Sequence, residues 1–295
     1  MDINFELYKI FYHAASLESF SSAAEKLFIS QSAVSQSIKG LEEKMGVKLF
    51  QRKGRNINLT REGEILYRHV EQGYNLLKLG ENKMLEIQSM SCGEVRIGAS
   101  DTVCKYHLIP YIQKFTQLFP NIKIQLVNRT SSQILEALKN GFVDFGIVTL
   151  PVEDKSLIVD EFLIVEDLFV AGNKFSHLKG GSIPLEELCS YPLLMLPFTS
   201  ATRRNLDSAL GKLEITVTPE IELESIDLLV EYAKIGMGIA HVLKDSASTA
   251  IEAGQLFEIK IKEVLPARKL GIVTTSMLPL SRSAAEFIKL LHMNF

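Results

Sequence analysis

The sequence predicts an α/β protein, a body of alternating strands and helices preceded by a small winged helix-turn-helix and one long helix. Three observations carry that reading. Apolar strand-like runs alternate with amphipathic stretches from about residue 93 to the C-terminus, two short helices separated by a tight turn fall between Phe20 and Met45, and an apolar register persists for about 28 residues after Thr60. With 295 residues, 46% of them hydrophobic, the chain can fill one small and one large core.

In the first of these elements, Ser22 and Glu25 fit a capping box that opens a helix whose buried side is Ala23, Ala24, Leu27 and Phe28. Small Ala residues let two helices cross closely. Ile29 and Ser30 leave a short turn, with Ser30 as N-cap of the next helix. There Val34, Ile38, Leu41 and Met45 form one apolar stripe for core packing. Ser32, Ser35, Gln36 and Lys39 fall on the other side. Hydroxyls, an amide and one cation suit base edges in a major groove, where Gln can satisfy both hydrogen-bonding positions of adenine. An ordinary helical hairpin also has a polar outer face, but it would not require the cationic segment that follows.

That segment, Lys48 to Arg61, carries Lys48, Arg52, Lys53, Arg55 and Arg61 and no acid. Ile57 and Leu59 alternate with Asn56 and Asn58, and Gly54 sits among the cations. A hairpin wing is expected, whose cations, Arg52, Lys53 and Arg55 among them, can neutralise phosphates of double-stranded DNA or enter a minor groove.

Residues 1–60 resemble the winged helix-turn-helix of LysR-type transcriptional regulators. The matching motifs are Ser19-Phe20, Ala23-Ala24, Ser30-Gln31 and Leu49-Phe50-Gln51-Arg52. The resemblance implies that Gln31 faces the major groove together with Ser32, Ser35, Gln36 and Lys39, while Arg52 and Arg55 serve the wing. Ser32 departs from the pattern, because many members have Pro there, but Ser is equally compatible with a helix start.

Charge partitions along the chain. Residues 1–70 hold ten Lys or Arg against eight Asp or Glu, and the remaining 225 hold 22 against 27, so a basic head precedes an acidic body. The overall charge of −3 is therefore compatible with nucleic acid, since local cation placement decides. No basic n-region opens the chain and no apolar run reaches membrane-spanning length. Cys92, Cys104 and Cys189 are odd in number and widely spread, which argues against a disulfide framework and for a reducing cytoplasm.

Thr60 is placed to cap a helix from Arg61, with Glu62 and Glu64 in its first turn. Leu66, Val70, Gly73, Leu77, Gly80, Met84 and Ile87 alternate steps of four and three, which reads as a dimerisation seam about 42 Å long. Packing on its own chain is the alternative. In the family, such linker helices pair two winged domains, so the resemblance implies a homodimer through this helix and a homotetramer built from two dimers.

In the body, EVRIGAS, IKIQLVN and VDFGIVT read as strands separated by helices, followed by EDLFVAG, YPLLMLP, EIELES, MGIAHV and KLGIVTT, with a closing helix near the C-terminus. Sheets of this kind bind ligands in a crevice at the carboxyl ends of strands. The resemblance extends here to the LysR effector domain, which is two-lobed and similar to periplasmic binding proteins. It implies a DNA-binding domain at 1–60, a linker helix at 61–90 and an effector domain at 91–295. Lobe I of that domain would span 91–162 and 268–295, and lobe II 163–267.

The strand ends then line the cleft, and they are rich in hydroxyls. Ser100, Asp101 and Thr102 end the first strand, Thr130 and Ser131 follow the second, and Thr149 ends the third, while Thr199, Ser200, Thr202 and Arg203 open a helix of the other lobe. Hydroxyls and helix N-termini suit a carboxylate, sulfate or phosphate, and Arg203 or Arg204 adds charge. Each hydroxyl alone is equally a helix cap. The segment TVCKYHLIP also resembles the first-pocket segment of sulfur-responsive members through Thr102, Lys105, Tyr106 and Ile109-Pro110.

Two other classes have some footing. Cys104 falls in a first helical turn, where the dipole can activate a thiol for redox sensing, although no resolving Cys is near. Cys104 and His107 make only half of a metal pair, and Gly236-Met237-Gly238 lacks the third glycine and the strand-to-helix order of a dinucleotide turn. No catalytic triad can be assembled from local motifs, so neither an enzyme nor a cofactor is expected.

Overall fold

The computed structural model describes residues 2–53, 56–88, 93–277 and 280–293, and the chain forms two compact units, one of residues 1–84 and one built on residues 85–139 and 143–295. Among the described residues no helix is long and apolar enough to cross a membrane.

The first unit comprises α1 (Phe5–Ser16), α2 (Phe20–Leu27), α3 (Gln31–Met45), the hairpin β1 (Phe50–Lys53) and β2 (Asn56–Leu59), and α4 (Arg61–Gln88). Helix α1 was not anticipated. It supplies Phe11 to a core with Ala14, Ala23, Ala24, Val34, Ile38, Leu41 and Leu49. The opening of α2 corrects the expected capping box. Extended Ser19, not Ser22, is the N-cap, its Oγ accepting from the Ser22 N–H at 3.2 Å, so that Phe20 begins the helix and packs edge-on to Phe50. Phe28 corrects the expected buried side. It closes α2 in the left-handed conformation (φ 56°), which turns its ring outward to 95% exposure.

Ser30 caps α3 as expected, Oγ accepting from the Ala33 N–H at 3.2 Å, and left-handed Gly46 ends it. Thr60 caps α4, its Oγ1 accepting from the Gly63 N–H at 3.0 Å. Only glycine fits at 63, where a Cβ would stand 2.1 Å from the Leu49 carbonyl oxygen. The α4 seam divides. Leu66 and Val70 pack into the head's own core and Tyr67 and Tyr74 stack on Tyr12, whereas Leu77 and Met84 are exposed. The side chain of Ile87 lies outside the described residues.

The second unit opens with β3 (Gly93–Ala99), α5 (Asp101–Val103), a π-helical turn (Cys104–Leu108), α6 (Ile109–Leu118), β4 (Ile122–Asn128), α7 (Ser131–Lys139), β5 (Phe145–Thr149) and β6 (Leu157–Val165). The chain then crosses into β7 (Asp167–Ala171), a 3₁₀ turn (Asn173–Leu178), β8 (Ser182–Ile183), α8 (Leu185–Leu188), β9 (Leu193–Met195), α9 (Ala201–Lys212) and β10 (Ile221–Glu222). It continues through α10 (Ile226–Lys234), β11 (Ile239–Leu243), α11 (Lys244–Glu252) and β12 (Phe257–Ile261), and returns through β13 (Arg268–Thr275) to α12 (Arg282–Leu291).

Two sheets result, of order β4-β3-β5-β13-β6 and β10-β9-β11-β7-β12-β8. They are the cores of two lobes. In the first, parallel β3 and β5 are buried on both faces, as central strands under helices must be, while the returning β13 runs antiparallel to β5 and β6. Gly98 and Gly146 pair across β3 and β5, and a Cβ on either would meet Ile134 of α7 at 2.7 or 2.5 Å. Their bareness seats α7 with its first turn at the ends of these strands. The first crossing falls at Glu166, later than the expected 162–163, because β6 stays paired with β13 as far as Val165 opposite Arg268.

Candidate functional site

On α3 the two faces separate as chemistry requires. Val34, Ile38 and Leu41 are buried, and Gln31, Ser32, Ser35, Gln36 and Lys39 are all exposed. The Oγ atoms of Ser30 and Ser32 lie 2.9 Å apart, and Lys39 Nζ sits 3.7 Å from Glu43. The wing hairpin pairs Arg52 with Ile57 and Lys53 with Asn56 along the backbone. The side chains of Arg52 and Lys53, and the whole of Arg55, lie outside the described residues.

A cleft of about 1000 Å³ lies between the two lobes. Ser100, Asp101, Thr102, Thr130, Ser131, Thr149, Thr199, Ser200 and Thr202 all line it. Three hydroxyl oxygens accept from backbone: Ser100 from the Val103 N–H at 3.4 Å, Ser200 from the Arg203 N–H at 3.0 Å, and Ser131 from the Thr149 N–H at 3.2 Å. Each is therefore a cap or a strand tie as well as a lining group, and each hydroxyl retains a proton to donate.

Arg203 is the departure. It is buried away from the cleft, its Nε on both carboxylate oxygens of Asp207 at 2.8 and 2.9 Å and its Nη1 3.4 Å from the Leu196 carbonyl and from Glu222. One turn along α9, Asp207 offers a counter-ion fixed on the same helix. The cations lining the cleft are Arg129, Arg204 and Arg268. Arg204 Nη1 donates to the Thr199 carbonyl at 2.6 Å and Arg129 Nη1 to the Asn128 carbonyl at 2.9 Å. Arg268, on the floor, is paired with Asp167 through both Nε and Nη2 and lies 3.5 Å from Thr149 Oγ1. Asp101 and Glu224 are the acids of the lining.

Sequence reasoning did not place Arg129, His107 or Arg268 in the cleft. Arg129 stands between two segments that were singled out, so its position could have been found. Arg268 could not, because it reaches Thr149 across 119 residues of sequence. The buried Nε2 of His107 has no hydrogen-bond partner among the described residues and lies 3.7 Å from Asp245, and burial lowers its pKa below the ordinary histidine value.

Lys105 and Tyr106 do not line the cleft. Both reach the other lobe, where Asp227 accepts from Lys105 Nζ and from the Tyr106 hydroxyl at 2.7 Å each. Cys104 corrects the activated-thiol reading. Burial, aided by the Asp101 carboxylate, pushes its pKa up to about 11, so the thiol stays protonated. Cys92 lies outside the described residues. Among the described residues no group of three potential metal ligands converges.

Comparison with known proteins identifies the family. Residues 5–64 match the family model "Bacterial regulatory helix-turn-helix protein, lysR family", and residues 88–295 match "LysR substrate binding domain". The chain is 29% identical over 296 residues to a "Probable RuBisCO transcriptional regulator" of Synechocystis sp., covering 98% of this chain and 86% of the relative. A protein of the same description from Emiliania huxleyi is 30% identical over 266 residues, covering 86% and 83%. The fold is that of full-length CbnR in complex with its target DNA, with a TM-score of 0.74 at 16% identity over 99% of both chains. The two family models together span residues 5–64 and 88–295, and the chain belongs to the LysR family of transcriptional regulators.

Proposed function

We propose that a small anionic or amino-acid-like effector, bound in the cleft between the lobes, controls how this regulator sits on its operator. The observation that carries this reading is the convergence on one cleft of hydroxyls and helix starts from both lobes together with Arg129 and Arg204. Backbone N–H groups at helix starts and guanidinium groups favour a carboxylate, sulfate or phosphate, and Asp101 and Glu224 can receive an ammonium group on the same molecule.

DNA is read by Gln31, Ser32, Ser35, Gln36 and Lys39 in the major groove, with Arg52, Lys53 and Arg55 on the phosphates. Two copies pair through the exposed part of α4, and two such pairs form a tetramer. The compartment is the cytoplasm, supported by cysteines that are odd in number and widely spread along the sequence.

Fluorescence anisotropy tests the reading. A labelled duplex from upstream of the protein's own gene is compared with a scrambled duplex at fixed salt, for wild type and Gln36→Ala, with sulfate, small carboxylates and amino acids added in turn. Wild type should prefer the upstream duplex, Gln36→Ala should lose about 1–3 kcal/mol of that preference, and one added class should shift the wild-type curve. Equal losses by Gln36→Ala on both duplexes would remove its reading role, and no shift from any added compound would remove the anionic or amino-acid-like effector.

A further inference from the structure

Glu42 lies on the inner side of α3, one turn before its end, and is 8% exposed. A carboxylate there opposes the helix dipole, and a buried charge needs partners. Its partners lie beyond the helix. Oε1 accepts from the backbone N–H of Leu49 at 2.9 Å and of Phe50 at 3.3 Å, and Oε2 accepts from Lys48 Nζ at 2.6 Å. Burial alone would raise the Glu42 pKa, but these three donors outweigh it and hold the carboxyl below its ordinary range.

Two of these residues, Lys48 and Leu49, are also gripped from α4. Thr60 Oγ1 donates to the Lys48 carbonyl at 2.6 Å, the Thr60 N–H donates to the Leu49 carbonyl at 2.9 Å, and Gly63 lets α4 press against that carbonyl. Residues 48–50, which lead into the wing, are thus fastened to the base of the recognition helix through their donors and to the start of α4 through the Lys48 and Leu49 carbonyls. Within α3 itself, Glu42 is buried whereas Gln36 and Lys39 are exposed.

We propose that Glu42 is a positioning residue for DNA binding, fixing the wing strand β1 on the recognition helix so that groove and phosphate contacts are spaced before DNA arrives. Contacts held in place beforehand cost less ordering on binding. The proposal rests on the DNA-binding role of α3 and the wing.

The test is a double-mutant cycle in the full chain. Glu42→Gln and Glu42→Ala are made alone and in an Arg52→Ala, Arg55→Ala background, and anisotropy on a mixed-sequence duplex is followed from low to moderate salt. Glu42→Ala should weaken binding on the order of tenfold and flatten the salt dependence by about one phosphate contact. Glu42→Gln, which keeps an oxygen for the Leu49 N–H, should fall between Ala and wild type and carries the cycle if the Ala variant does not fold. Without the wing cations, neither change should weaken binding further. The same fold-loss in both backgrounds, or a lowered melting temperature with unchanged salt dependence, would mean that Glu42 only stabilises the head and would overturn the proposal. Failure of wild type to bind any duplex at low salt would overturn the DNA-binding assignment instead.

Discussion

At the scale of single residues, the structure separates groups whose chemistry is legible nearby from groups whose role depends on distant partners. The hydroxyls at strand ends belong to the first kind, because a strand that ends in Ser or Thr before a helix puts them at a crevice whatever the rest of the chain does. Arg203 and Arg268 belong to the second. Arg203 has a carboxylate one turn along its own helix, and Arg268 finds Asp167 only through the fold. His241 is a further case, fully buried on β11 against Phe169, with Asp167, Arg268, Asp207 and Arg203 as its charged surroundings. Burial lowers its pKa from 6.5 to about 4. Between those values the unfolded chain takes up a proton that the native state refuses, so stability from this group is present above about pH 6.5 and is lost as pH falls toward 4. At about 1.4 kcal/mol per pH unit the loss amounts to roughly 3 kcal/mol. Urea unfolding at pH 7 and pH 5 should show about 2 kcal/mol of it in wild type, and His241→Leu should reduce the difference. An unchanged difference in the variant would assign the pH dependence to other groups.

At the scale of elements, periodicity found the helices and buried strands and failed where burial was uneven. Strand β6 is the longest of the second unit, yet only its two ends are buried, and Asp160 and Glu161 interrupt its centre. It is recognisable as a strand only through its pairing with β13. The π turn at Cys104–Leu108 is followed closely by Pro110, which has no N–H to donate and whose ring crowds the carbonyl of Tyr106, a local reason for the ladder to slip. In α4, a repeat of four and three registers an apolar stripe without saying which chain covers it. The head takes Leu66 and Val70, which leaves Leu77 at 53% and Met84 at 60% exposure as the part available to a second copy. Changing both to Glu should leave the head folded and halve the mass of the proposed tetramer in sedimentation at micromolar concentration, since like charges would face each other across the seam. An unaltered mass would place the interface elsewhere.

At the scale of the whole molecule, the order of head, long helix and α/β body was legible because each part announces itself by local pattern, whereas the way the lobes hold each other was not. Three consecutive residues of the π turn reach across to the second lobe, Lys105 and Tyr106 to Asp227 and His107 toward Asp245. Both acids sit in the first turn of a helix, α10 or α11, where the dipole favours their charge. Such links bias one arrangement of the lobes over others, and an effector that favours an arrangement feels that bias in its own affinity. Lys105 and Asp227 are both close to half exposed, so their pair supplies at most about 1 kcal/mol, which limits the change in apparent affinity to about fivefold. Asp227→Asn should therefore shift the calorimetric affinity of whichever sulfate, carboxylate or amino acid binds by no more than that. Because coupling between two ligands is reciprocal, the factor by which that compound changes DNA affinity must equal the factor by which DNA changes its own. A larger shift would mean that Asp227 touches the ligand directly. No shift in either quantity would mean that the two lobes keep the same arrangement with the cleft filled or empty, leaving the effector no means of acting through lobe closure.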